Sequence, residues 1–126
     1  MQLERFNGNL EDADFVNLLM VDISGNIRSV SLPHTYVSEK VMKEGIGFDA
    51  SNYGYAKVSN SDMVAVPDMS TAFFEVRGDY RMLHVLCDVV STEREVFDQY
   101  PRNIVKKTRE FLKKEGIADN AKLLVE

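Results

Sequence analysis

Asp49 is the residue best placed to do chemistry in this 126-residue chain. It lies in the run Gly45-Ile46-Gly47-Phe48-Asp49-Ala50-Ser51. Small neighbours allow backbone carbonyls and the carboxylate oxygens to converge on one point, so the group has the makings of a cation site. Ser51 adds a hydroxyl two positions on. Local chemistry alone leaves an ordinary surface turn as the competing reading. The same run satisfies the loose pattern G-x-G-x-x-A, but a dinucleotide fingerprint requires a strand before it and a helix after it. Here the pattern predicts a preceding helix and an irregular segment behind. No Walker-type Gly-Lys-Ser or Gly-Lys-Thr is present.

Other reactive side chains read as structural. His84 falls inside an apolar strand and His34 beside Pro33, without the spacing of a metal ligand pair or catalytic base. Cys87 stands in the same apolar strand with no cationic neighbour in sequence, which suits a small core residue. Glu11, Asp12 and Asp14 lack the alternating ligands and closing Glu of a calcium loop, and read as solvated charge ahead of a strand. Tyr53 and Tyr55 have no interleaved cations and read as loop anchors.

The elements that must hold Asp49 are those of a small mixed sheet. Asp14 to Ile23 and Ile27 to Leu32 form two β-prone runs around Ser24-Gly25-Asn26, which predicts a hairpin closed by Pro33. Thr35 is positioned to cap a short helix carrying Val37, Val41 and Met42, with Gly45 to stop it. Strands are expected at Met63 to Val66, Ala72 to Val76 and Met82 to Val90. The last is apolar nearly throughout, as a central strand buried on both faces requires. Pro101 suits a first helical position, and Ile104, Val105, Thr108, Phe111 and Leu112 follow as one stripe up to Lys113, Lys114 and the stop at Gly116. Lys122 to Glu126 starts a further apolar strand that looks cut. This order predicts an α+β fold, a mixed β-sheet with two main helices packed on it, in a β-grasp arrangement.

Composition excludes several classes of partner. The hydrophobic content of 44% suffices for one core. Net charge is −5, with Lys and Arg dispersed, which disfavours nucleic acid and anionic membrane as partners. No run is long enough to span a bilayer, the start lacks a leader pattern, and one cysteine permits no internal disulfide. These features fit a cytoplasmic setting.

Taken together, several motifs resemble the amino-terminal domain of glutamine synthetases of the type I kind. They are Val21-Asp22-Ile23-x-Gly25, Arg28, Gly47-Phe48-Asp49-x-Ser51, Ser61-Asp62-Met63, Val66-Pro67-Asp68, Ser70-Thr71-Ala72, Cys87-Asp88-Val89 and Pro101-Arg102. The resemblance implies a β-grasp domain over residues 1–121, with 122–126 beginning a catalytic-domain strand. It implies a larger ligase that joins glutamate and ammonia through γ-glutamyl phosphate, using ATP and magnesium or manganese, with none of these cofactors expected on this portion alone. Partners implied are the catalytic domain and neighbouring subunits of a homo-oligomeric ring, whose active site the domain completes. Asp49 takes the role of binding ammonium and helping remove its proton, and Ser51 the first serine of the loop. Glu126 matches the first Glu of a metal-binding Glu-x-Glu pair.

Departures from the family pattern matter. The usual Phe-Asp-Gly-Ser-Ser loop reads Phe48-Asp49-Ala50-Ser51-Asn52, and Tyr100 stands where Asp commonly precedes Pro-Arg. Loss of that Asp removes an N-cap worth about 1 kcal/mol unless Asp98 substitutes. Two alternatives stay open: a γ-glutamyl-amine ligase, and a free-standing β-grasp binding module without chemistry.

Overall fold

The computed structural model describes residues 1–54 and 61–122. These residues form β1 (Gln2–Arg5), β2 (Phe15–Val21), β3 (Ile27–Pro33), α1 (Glu39–Glu44), β4 (Ile46–Asp49), β5 (Asp62–Pro67), β6 (Phe73–Arg77), β7 (Tyr80–Ser91) and α2 (Pro101–Lys114). The predicted strand over 122–126 lies, but for Lys122, outside the described residues.

β7 organises the sheet. Its first half pairs antiparallel with β6 and parallel with β2, and its second half pairs antiparallel with β5. β1 extends the sheet beyond β6, β3 beyond β2, and β4 beyond β5. Alternate β7 residues Leu83, Val85, Cys87 and Val89 are fully buried, while those between are only half-buried. The expected strand buried on both faces is therefore buried completely on one. Val16, Leu18, Met20, Phe74 and Ala65 complete that core with Met42 of α1. Burial puts the Cys87 thiol up to about 12, so it is protonated and inert at neutral pH.

β5 and β6 follow one another along β7 and are separated by a 3-10 turn at Met69–Thr71. The Asp68 N–H donates to Leu86 O (2.8 Å), and the Leu86 N–H donates to Thr71 Oγ1 (3.0 Å). A side-chain oxygen thus satisfies the ladder donor where the strand is interrupted.

On the other side of β7 the parallel ladder with β2 ends at Leu19 opposite Leu86. Beyond it the Tyr100 hydroxyl accepts from the Val21 N–H (3.2 Å) and donates to Cys87 O (2.9 Å). The ring is fully buried, so one phenol fills the gap between the separating strands and supplies the missing rung. The position that read as a lost helix cap is a core residue. No side chain caps α2, and Asp98 instead pairs with Lys107 at 2.5 Å.

Two further expectations are corrected. Ser38, not Thr35, caps α1, accepting from the Val41 N–H at 3.3 Å; Thr35 lies in a separate 3-10 turn. Gly45 does end α1, at φ +80, where an added Cβ would lie 2.2 Å from Ala65 O. β1 and β4 had no predicted counterpart. α2 carries the expected stripe, but Ile104, Val105 and Phe111 are exposed, and the helix meets the sheet with polar side chains instead. Arg102 pairs with Asp68 (2.7 Å), Lys106 with Asp88 (2.6 Å), and the Asn103 amide donates to Phe97 O (2.8 Å).

Candidate functional site around Asp49

Asp49 is the last residue of β4 and the first cap of the 3-10 turn Ala50–Tyr53. Its carboxylate accepts from the Ser51 N–H at 2.8 Å, the usual way a short acidic side chain closes such a turn. The Ser51 side chain, the Ser51 N–H and the Ser61 side chain all bond it, in that order of effect, and hold its pKa below the ordinary value of 3.8. Asp49 is exposed, so an ionised, oriented carboxylate faces outward. Asp49 and Ser51 are thus brought together as expected. Glu126 lies outside the described residues, as does Tyr55.

Pairing of β4 with β5 adds two residues that sequence reasoning gave no role. The register sets Asp62 directly opposite Asp49, and the Ala50 N–H donates to Ser61 O at 2.8 Å. Facing carboxylates on neighbouring strands repel unless a cation lies between or near them. The signal was available in Ser61-Asp62-Met63, but only the register of a strand not foreseen, β4, brings it against Asp49.

The turn behind Asp49 is seated on the β2–β3 hairpin. The Ile23 N–H donates to Tyr53 O at 3.0 Å, and Tyr53 meets Phe48 edge-on at 5.0 Å. Gly54, at φ +81, comes so close to Ile23 that an added Cβ would lie 2.5 Å from its Cγ2. The hairpin end is itself fixed by buried Asp22, which accepts from the N–H groups of Ser24 (2.9 Å) and Asn26 (2.8 Å) and from Arg28 Nε (3.0 Å). Burial pushes the Asp22 pKa up, and the bonds from Asn26, Arg28 and Ser24 together more than offset it, leaving the group below 3.8. Ala50 is fully buried with no positive φ, so the missing loop glycine leaves no backbone strain. Asn52 is exposed.

The other flagged residues are structural. His84 stacks on Phe73 (5.1 Å between centroids) and its Nε2 lies 2.9 Å from Glu75. Among the described residues no three His, Cys, Asp or Glu side chains converge to hold a metal ion, and no helix is long and apolar enough to cross a membrane. The described residues therefore do not fit a divalent ion by themselves.

A mixed sheet of this strand order, crossed by two helices, with the acidic turn between β4 and β5, defines a β-grasp domain. Residues 12–92 match the family model for the glutamine synthetase β-grasp domain. The chain belongs to the glutamine synthetase family. It is 32% identical over 113 residues to a glutamine synthetase of Methylococcus capsulatus, covering 88% of this chain and 24% of the relative. It is also 32% identical over 112 residues to a 3-hydroxylaminophenol mutase of Cupriavidus pinatubonensis, covering 87% and 24%. The Plasmodium falciparum glutamine synthetase structure superposes with a TM-score of 0.77 at 27% identity, covering 90% of this chain and 22% of that one. The chain thus spans about a quarter of the length of the relatives it matches.

Proposed function

We propose that this chain is the amino-terminal part of an ATP-dependent ligase that joins glutamate to ammonia through γ-glutamyl phosphate, inactive alone, with Asp49 as its amine-binding carboxylate. The observation that carries the reading is the Asp49 turn: an exposed carboxylate, kept ionised by three hydrogen bonds and facing Asp62 across the strand pair. An ammonium ion needs an anionic cage and must lose a proton before its nitrogen can attack, and an ionised carboxylate serves both needs. Ser51 and Ser61 orient that carboxylate. ATP, magnesium or manganese, and the glutamate pocket belong to parts of the ligase beyond the described residues, with Glu126 as a candidate metal ligand, and no step is derived through them.

The exposed stripe of Ile104, Val105 and Phe111 supports a domain that works against further protein, namely its own catalytic domain and neighbouring subunits of a homo-oligomer. It weighs against a free-standing binding module. The loop departure at Asn52 favours a second reading, a γ-glutamyl-amine ligase whose acceptor is larger than ammonia.

Asp49→Asn and Asp49→Ala in the full-length protein test the assignment. Each is expected to lower kcat/KM for ammonium by about 10²–10⁴-fold, the range for loss of a positioned proton acceptor. Unchanged turnover at limiting ammonium removes Asp49 from the chemistry.

A further inference from the structure

The end of the β2–β3 hairpin is bonded more heavily than a change of chain direction requires. The turn closes through the backbone, where the Gly25 N–H donates to Asp22 O (3.0 Å) and Gly25 takes φ +84. To this the buried Asp22 carboxylate adds bonds from the Ser24 and Asn26 N–H groups at Oδ1, and from the Asn26 amide (3.1 Å) and Arg28 Nε (3.0 Å) at Oδ2. One charged group thus ties together four consecutive turns of the backbone's choice, and the hairpin end is rigid.

What that rigidity holds in place is Ile23. Its side chain is 67% exposed, so the core gains little from it. Its N–H donates to Tyr53 O at 3.0 Å, and its Cγ2 stands against Gly54. Tyr53 closes the 3-10 turn that Asp49 caps, and Gly54 follows at φ +81. Among the described residues β4 pairs on one side only, with β5. The turn therefore has a support at each end: Ser61 O, which accepts from the Ala50 N–H, and Ile23. A carboxylate that must meet a small cation at one point tolerates little displacement, since about 1 Å can cost about 100-fold in rate.

We propose that Asp22 is a positioning residue for the amine-binding carboxylate. With Arg28 it fixes the hairpin end, and Ile23 carries that fixed position to the Asp49 turn. Asp22 is buried and acts only through this contact. The inference rests on the ligase reading of Asp49 and names the part of the fold on which the placement of Asp49 depends.

The test uses the full-length ligase at saturating ATP and glutamate, with ammonium varied. Asp22→Asn keeps an acceptor for the Ser24 and Asn26 N–H groups but breaks the bond to Arg28, and is expected to lower kcat/KM for ammonium by about tenfold. Gly54→Ala pushes on the same contact from the turn, leaves Asp22 intact, and is expected to do likewise; it decides the matter where Asp22→Asn fails to fold. In an Asp49→Asn background either change is expected to alter kcat/KM by less than about twofold, because both act through that carboxylate. Hydrogen exchange is expected to rise in the peptide holding residues 49–54 and to stay unaltered in β7. Wild-type ammonium kinetics in the variants, losses that multiply with Asp49→Asn, or equally faster exchange in β7 overturn the inference. The ligase reading stands through any of these while the wild type turns over ammonium and Asp49→Asn impairs it. A wild type without ammonium turnover, or unimpaired Asp49→Asn, overturns the ligase reading and the inference with it.

Discussion

Replacing Tyr100 by Phe isolates a single structural role. The ring remains in its fully buried position, and only the hydroxyl that bridges Val21 N–H and Cys87 C=O is removed. Each orphaned buried group costs about 1–3 kcal/mol, and small movements of β2 and β7 toward one another recover part, so the net loss is about 2–3 kcal/mol. At about 1.4 kcal/mol per factor of ten, that corresponds to about 30- to 150-fold in the local opening equilibrium. Hydrogen exchange of the full-length protein, read by mass spectrometry on the peptide containing Val21, measures it where the effect arises. Tyr80→Phe, at an exposed ring, is the control and is expected to fall within about 0.5 kcal/mol of wild type. Unaltered exchange at Val21 in Tyr100→Phe refutes the claim that the phenol replaces a ladder rung.

Gly45→Ala places a Cβ 2.2 Å from Ala65 O at a φ of +80, and is expected to destabilise the β4–β5 pair by more than about 2 kcal/mol, seen as faster exchange of both strands. Arg102→Ala removes the partner of Asp68 from a mostly buried pair, and a loss of about 1–3 kcal/mol in α2 anchoring is expected as proteolytic cleavage around Pro101. Acid acts on the same attachment. Bonds from Ser70 and Arg102 hold Asp68 below its ordinary 3.8, so its contribution is complete above that pH and is lost as pH falls through the lower folded value; α2 protection is expected to decline below about pH 4. Phe111→Asp is expected to leave exchange in the sheet unchanged, since the ring is exposed, while impairing assembly of the full-length protein, which size-exclusion chromatography would reveal.

Much of this architecture is legible from residue order. The hairpin around Ser24-Gly25-Asn26, the strands within β5, β6 and β7, and the start of α2 at Pro101 all follow from period, turn residues and proline placement. β4 is hidden because two glycines in its neighbourhood imitate a loop, and β1 because four residues with one half-buried position carry too little pattern to register. Thr35 and Ser38 are equally good caps in sequence; the turn at His34–Tyr36 decides between them. Asp49 and Ser51 are visible as a pair, two residues apart in one turn. Ser61 and Asp62 are ten or more residues from that pair, and only a ladder register brings them to it.

α2 shows why pattern gives a helix but not its orientation. A stripe of Ile104, Val105, Thr108, Phe111 and Leu112 is what any surface helix needs to pack, and the default expectation turns it inward. The sheet at that position offers Asp68 and Asp88 to the helix, and Arg102 and Lys106 answer them, so the polar side of α2 is drawn in and the apolar side turned out. The match to the β-grasp model ends at residue 92, before α2 begins. An exposed apolar stripe costs free energy unless something covers it, and ion pairs alone hold the helix weakly. The arrangement fits a helix that is shared, tied to the β-grasp sheet by charge and offered to further protein by its apolar side.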